Sequence, residues 1–177
     1  MKNLLKGSAI VLGLLGATSA ANAQQKIGHI NADEIFQLTP EFKTAQATIK
    51  TLSDAKQKEL EGMYAEFQKK EAAGQEKVRN RSEANKTQID AELQTLSQEL
   101  QQIQERIQSV QKVAQEEVGK KQQELMAPIQ TKVMNAINAV AKEKGYAYIL
   151  DLGAGSVIYY QGGEDVSEAV KAKLGIK

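Results

Sequence analysis

The chain has 177 residues, a formal charge of +1, one His, no Cys, no Trp and 5% aromatic residues. The near-zero charge supplies no field for nucleic acid, and the missing Cys excludes disulfide staples and a lipidated N-terminus. Aromatic content this thin argues against a large conventional globular core.

In chain order, Met1 to Lys6 forms a basic n-region, Gly7 to Ala17 an apolar h-region, and Ala21-Asn22-Ala23 an A-x-A cleavage site. The apolar run is well short of the ~20 residues of a spanning helix, so residues 1–23 are predicted to be a cleavable export signal cut after Ala23. Export carries the mature chain out of the cytoplasm. Cleavage removes Lys2 and Lys6 and no acids, leaving 21 basic and 22 acidic residues.

Gln25 to Asn31 is a predicted strand, and Asn31 or Asp33 caps a short helical turn through Phe36. Thr39-Pro40-Glu41 then supplies an N-cap, a Pro at the first helical position and an acid in the first turn. The helix it opens is predicted to run to about Arg79. Its stripe of Phe42, Ala45, Ile49, Leu52, Leu60, Met63 and Phe67 is sparse and interrupted at Lys56.

A second helix is predicted from about Asn85 to Lys144. Its apolar residues Ile89, Leu93, Leu96, Leu100, Ile103, Ile107, Val110 and Ala114 alternate steps of four and three, the spacing of a coiled-coil seam. At ~1.5 Å per residue it reaches roughly 90 Å, so it must project as an arm. A tight turn at Asn80-Arg81-Ser82 gives an antiparallel hairpin with its tip near 80–84. Facing residue numbers then sum to about 163, which opposes Leu60 to Ile103, Met63 to Leu100, Phe67 to Leu96 and Leu52 to Val110. Phe42 falls opposite Lys121, which leaves residues 122–144 without a partner on the first helix. Pro128 is predicted to kink the helix where the arm enters the body.

Gly145 is a predicted C-cap. Residues 146–151 and 156–160 read as two strands of a hairpin around Leu152-Gly153-Ala154-Gly155. Asp165-Val166-Ser167-Glu168 resembles a capping box for a last helix that ends at Leu174-Gly175. Three short strands per chain cannot bury both faces of a sheet, so the body requires a symmetric oligomer with Ile149 and Val157 in its core. The fold class is therefore α+β and mostly α: an antiparallel helical arm, 40–121, on a small β body made by oligomerisation from 24–39 and 122–177.

No phosphate-binding loop, dinucleotide fingerprint or metal-binding cluster is present in the sequence. His29 has neither a nucleophile nor a co-ligand nearby. The expectation is a protein that is not an enzyme and takes no cofactor or metal. Leu60, Met63 and Phe67 are the candidate surface for weak apolar contacts. Lys69, Lys70, Lys77, Arg79, Arg81 and Lys86 against Glu71, Glu76 and Glu83 make a basic arm tip, a candidate contact for anionic lipid or lipopolysaccharide.

The chain resembles the Skp/OmpH periplasmic chaperones of outer-membrane proteins. The resemblance rests on Lys26-Ile27-Gly28-His29-Ile30-Asn31, Phe36-Gln37-Leu38-Thr39-Pro40-Glu41 and Glu124-Leu125-Met126-Ala127-Pro128-Ile129. Gly145-Tyr146-Ala147-Tyr148-Ile149-Leu150-Asp151 and Glu164-Asp165-Val166-Ser167-Glu168 complete it. It implies a jellyfish-like homotrimer with three helical tentacles, and ATP-independent holding of unfolded outer-membrane proteins. The competing expectation is a structural coiled-coil spacer or adaptor of the cell envelope.

Overall fold

The computed structural model describes residues 25–176. The export signal and its cleavage after Ala23 lie outside the described residues. Seven elements follow in order: β1 (Ile27–Ile30), α1 (Ala32–Leu38), α2 (Pro40–Arg79), α3 (Lys86–Lys144), β2 (Tyr148–Asp151), β3 (Glu164–Asp165) and α4 (Ser167–Leu174). They fall into two compact units, one of Phe36–Lys132 and one of the described residues up to Ile35 with those from Val133 onward.

The helical unit is α2 against the greater part of α3. Thr39 starts α2 as the sequence predicts: its buried hydroxyl accepts from Phe42 N at 3.3 Å and donates to Phe36 O at 2.8 Å. Pro40 follows at the first helical position, where its missing N–H costs nothing. Asn85 closes the turn at the far end. Its Oδ1 accepts from Ser82 N at 2.7 Å and its Nδ2 donates to Asn80 O at 3.0 Å. α3 then runs for 59 residues and is helical through Pro128.

The pairing register differs from the predicted one. Lys77 meets Glu92 and Lys70 meets Glu99, where the predicted register opposes them to Lys86 and Leu93. Met63 is buried with Ile103 and Ile107, and Leu60, Phe67 and Val110 pack on that cluster. The shift is close to one heptad. A strict heptad stripe looks the same after such a slip, so apolar spacing on α3 does not choose between the two. The pairing also extends deeper than predicted, because Glu41 bonds Lys132 and Phe42 lies beside Gln122 and Met126.

The second unit is a three-stranded sheet in the order β2-β1-β3 with every pair parallel. The predicted antiparallel hairpin is absent, and residues 156–160 carry no strand. Asp151 explains the change of direction. Its Oδ1 accepts from Gly153 N at 3.0 Å, which turns the chain at the strand end, and from Ala32 N at 3.1 Å, which ties β2 to the start of α1. Strand three is instead the two-residue β3. Parallel strands require a crossover, and between β1 and β2 that crossover contains α1, α2 and α3.

Close approach fixes two glycines here. A Cβ on Gly28 would lie 2.9 Å from the Val166 side chain and 3.2 Å from Tyr146, and one on Gly153 would lie 2.5 Å from Asn31 Oδ1. Ile30, Val133, Ile137, Val140, Val166 and Val170 supply the buried apolar residues. Gly145 and Gly175 end α3 and α4 at φ +70° and +72°, as the sequence predicts. The N-cap of α4 is Val166, which has no side-chain cap bond; Asp165, one residue earlier, accepts from Ser167 N at 2.8 Å, and Glu168 bonds Lys171 instead, so the predicted capping box does not form.

Candidate functional site

The seam of the arm is the candidate site. Along α2 the less exposed positions are Phe42, Ala45, Ile49, Leu52, Lys56, Leu60, Met63, Phe67, Lys70, Gly74 and Lys77. These alternate steps of three and four with one extra four, so α2 has a continuous heptad stripe after all. What is discontinuous is its chemistry: three of the positions are lysines and one is glycine.

Each lysine lays its aliphatic stem along the seam and carries its ammonium to an acid on α3. Lys56 reaches Glu117 at 2.7 Å, Lys70 reaches Glu99 at 2.7 Å and Lys77 reaches Glu92 at 2.5 Å. Arg81 grips Asp90 through two bonds of 2.7 and 2.8 Å. The bond to Arg81 holds the Asp90 carboxyl below its ordinary range, and Lys77 with Gln88 does the same for Glu92. Hydrogen bonds to Glu117 and Glu99 raise Lys56 and Lys70. At Gly74 the seam narrows, and a Cβ would lie 2.9 Å from Leu96 Cδ2.

Leu60, Met63 and Phe67 do come together, but in the closed seam. Met63 is buried, while Leu60 and Phe67 are half-buried. Beside them Tyr64, Phe67 and Gln68 of α2 and Gln104, Ile107 and Gln108 of α3 line an open groove of about 380 Å³. Tyr64 was not among the sequence-predicted residues; its place one step from Met63 puts it on the rim, where it is 47% exposed.

The basic tip is largely neutralised. Lys70, Lys77, Arg81 and Lys86 pair with Glu99, Glu92, Asp90 and Glu83. Counting only 69–86 leaves out the three acids that α3 brings across. Lys69 and Arg79 are the tip cations without an ion-pair partner among the described residues.

On the sheet, Ile149 aligns with Gly28 and Tyr148 with Ile27. Ile149 therefore points to the face where Val166 and Tyr146 pack on Gly28. The opposite face presents Ile27 and Tyr148, both exposed, and His29, whose ring lies 5.1 Å from that of Tyr160. Val157 is half-buried, and its neighbours Ile158, Tyr159 and Tyr160 are exposed.

Among the described residues no group of three or more His, Cys, Asp or Glu is placed to hold a metal ion, and no helix is long and apolar enough to cross a membrane. The model of the OmpH-like outer membrane protein family matches residues 26–174. This chain belongs to that family. The match runs from β1 to the end of α4 and so takes in both units. The chain is also similar to the chaperone protein Skp of Yersinia enterocolitica, at 24% identity over 92% of this chain and 93% of the relative. A solved candidate outer membrane chaperone (OmpH-like) of Caulobacter crescentus CB15 matches with a TM-score of 0.68 at 20% identity, covering 86% of this chain and 85% of that one. The likeness to the solved structure is one of fold, and it agrees with an α+β chain dominated by long helices.

Proposed function

We propose that this OmpH-like protein is an ATP-independent holdase of the periplasm, binding unfolded outer-membrane proteins and keeping them from aggregating. The observation that carries the reading is the seam: a helical arm closed by one small apolar cluster and by lysines that salt-bridge at its edge. Such an arm offers many weak, adjustable contacts in place of a deep pocket. The similarity to Skp over nearly the whole chain supports the same reading.

Client contact is assigned to Leu60, Met63 and Phe67 with the Tyr64 rim. Since Met63 is buried within one arm, its share of the contact requires the helices to separate. Lipid contact at the tip rests on Lys69 and Arg79, the tip cations without an ion-pair partner among the described residues, and is the lesser expectation. Neither role needs a cofactor or a catalytic group.

The assembly is assigned as a homotrimer. Its support is the sheet face of Ile27 and Tyr148 with the exposed apolar run 158–160, which a second copy of the same chain would cover. In that reading Val157 keeps its place in the oligomer core, while Tyr148 takes over from Ile149.

The closed seam with its row of ion pairs also favours a second reading, a structural spacer of the cell envelope. Light scattering separates the two. A denatured outer-membrane β-barrel protein diluted into buffer without nucleotide should stay dispersed in the presence of the purified protein. Aggregation at the buffer-only rate would leave the spacer.

A further inference from the structure

The groove beside Tyr64 does not end there. It shares Gln111 with a second groove beside Leu60, of about 490 Å³. That one shares Ser53 and Gln122 with a third of about 550 Å³ beside Ile49. Phe42 and Met126 carry the third into a fourth of about 500 Å³ that reaches Phe36. On α2 the wall is Tyr64, Gln57, Ser53 and Gln46, whose steps of seven, four and seven keep to one side of a helix. The four grooves are therefore one trough along one face of the arm, all within the helical unit.

Its chemistry changes along its length. All four aromatic residues between Phe36 and Lys132 line it, and they stand at its ends. Tyr64 and Phe67 hold one end; Phe36 and Phe42, with rings 4.9 Å apart edge to face, hold the other. Between them the rim is amide, with Gln111, Gln115 and Gln122 all exposed. A Gln side chain both donates and accepts, so it can meet the N–H and C=O groups of an unpaired backbone. The charges on the walls are Lys50, Asp54, Lys56 and Glu71. Lys50 pairs with Asp54 at 2.7 Å and Lys56 with Glu117 at 2.7 Å, so the trough is close to neutral in an arm covered with charge.

We infer that the trough takes one membrane strand's length of an unfolded outer-membrane β-barrel protein, laid extended with an aromatic side chain at each end. This rests on the holdase reading and gives it a docking surface that needs no opening of the seam. Length supports it. Tyr64 and Phe42 stand 22 positions apart on α2, roughly 33 Å at ~1.5 Å per residue. About ten extended residues cover that distance, and a strand that crosses a membrane has about 9–11. Chemistry agrees, because such a strand has an uncharged lipid-facing side flanked by aromatic residues at both membrane surfaces. A neutral trough with aromatic ends complements that side, whereas the charged outer faces of the arm do not.

The test is fluorescence anisotropy with two labelled synthetic peptides of about ten residues and alternating apolar and polar side chains. One has an aromatic residue at each end; the other has the same composition with both aromatics at its centre. The wild type should bind the second at least about fivefold more weakly. Gln111→Glu with Gln122→Glu sets two carboxylates in the trough, which docking would have to desolvate, and should weaken the first peptide by at least about fivefold. Gln102→Glu with Ser109→Glu, two exposed positions outside the trough, should leave its affinity unchanged. A wild type that binds neither peptide, or both alike, overturns the inference, and that comparison stands even if the variant in the trough fails to fold. Full affinity in a folded Gln111→Glu, Gln122→Glu protein also overturns it. So does a changed sedimentation coefficient in that variant, which would show another copy of the chain covering the trough. In each of these cases a wild type that still keeps the full-length client dispersed leaves the holdase reading standing. A wild type that lets the client aggregate defeats both.

Discussion

The middle and the tip of the arm solve one packing problem with different side chains. Around Met63 the seam is closed by Leu60, Phe67, Ile103, Ile107 and Val110. Toward the tip, Leu93, Leu96 and Leu100 continue the α3 stripe, but α2 answers with Lys70, Gly74 and Lys77. There the stems cover what they can, and the ammonium groups are spent on Glu99 and Glu92. The middle is held by burial and the tip by half-exposed pairs, which are individually weak. A seam can thus keep one geometry along its length while its strength falls toward one end.

The largest effect should come from breaking the middle. Ile107→Ala removes three carbons from a buried position and should cost about 2–4 kcal/mol, read as a lower denaturation midpoint of the arm with the sheet unit unchanged. A loss below about 0.5 kcal/mol would mean that the cluster does not hold the arm.

The next effect has the opposite sign. Gly62 is helical with nothing near the place of a Cβ, so Gly62→Ala should stabilise α2 by about 1 kcal/mol. Gly74→Ala gains the same propensity but pushes on Leu96, and its midpoint should therefore rise less. Equal gains at the two sites would show that Leu96 yields freely.

Acid sharpens the contrast. Asp90 and Glu92 have lowered carboxyl pKa values through Arg81 and Lys77. Groups depressed on folding contribute stability above the unfolded pKa of about 4 and lose it as pH falls through the folded value. Amide exchange near 77–92 should accelerate below about pH 4, while the middle, closed by apolar side chains, should keep its protection. Simultaneous loss in both regions would contradict the division.

The smallest effect belongs to Lys77→Met, which keeps the stem and removes the charge. Thermal midpoint should barely move, and the salt dependence of tip exchange should shrink.

This division also explains what could be read from the sequence. Helix ends were legible because Thr39-Pro40, Gly145 and Gly175 act through local geometry. The register was not, because Lys56, Lys70 and Lys77 read as breaks or surface charge when they are seam residues with distant partners. Asp151 likewise hid the parallel sheet: its bonds to Ala32 N and Gly153 N link segments far apart in sequence, while the glycines after it suggested a local hairpin. Spacing alone was enough to put Leu60, Met63 and Phe67 on one seam. Tyr64 falls off the stripe and so gave no signal, and the side of the sheet that Ile149 takes follows from a strand parity that only its pairing with Gly28 sets.

Hydrogen exchange of the arm with and without a client tests the central claim most directly. With an unfolded outer-membrane β-barrel protein bound, exchange should change most at 60–67 and 103–110, where the seam must open or be covered, and little in β1 and β2. A bound client that leaves both seam segments unchanged, or that alters only the sheet unit, would contradict the assignment of holding to the middle of the arm.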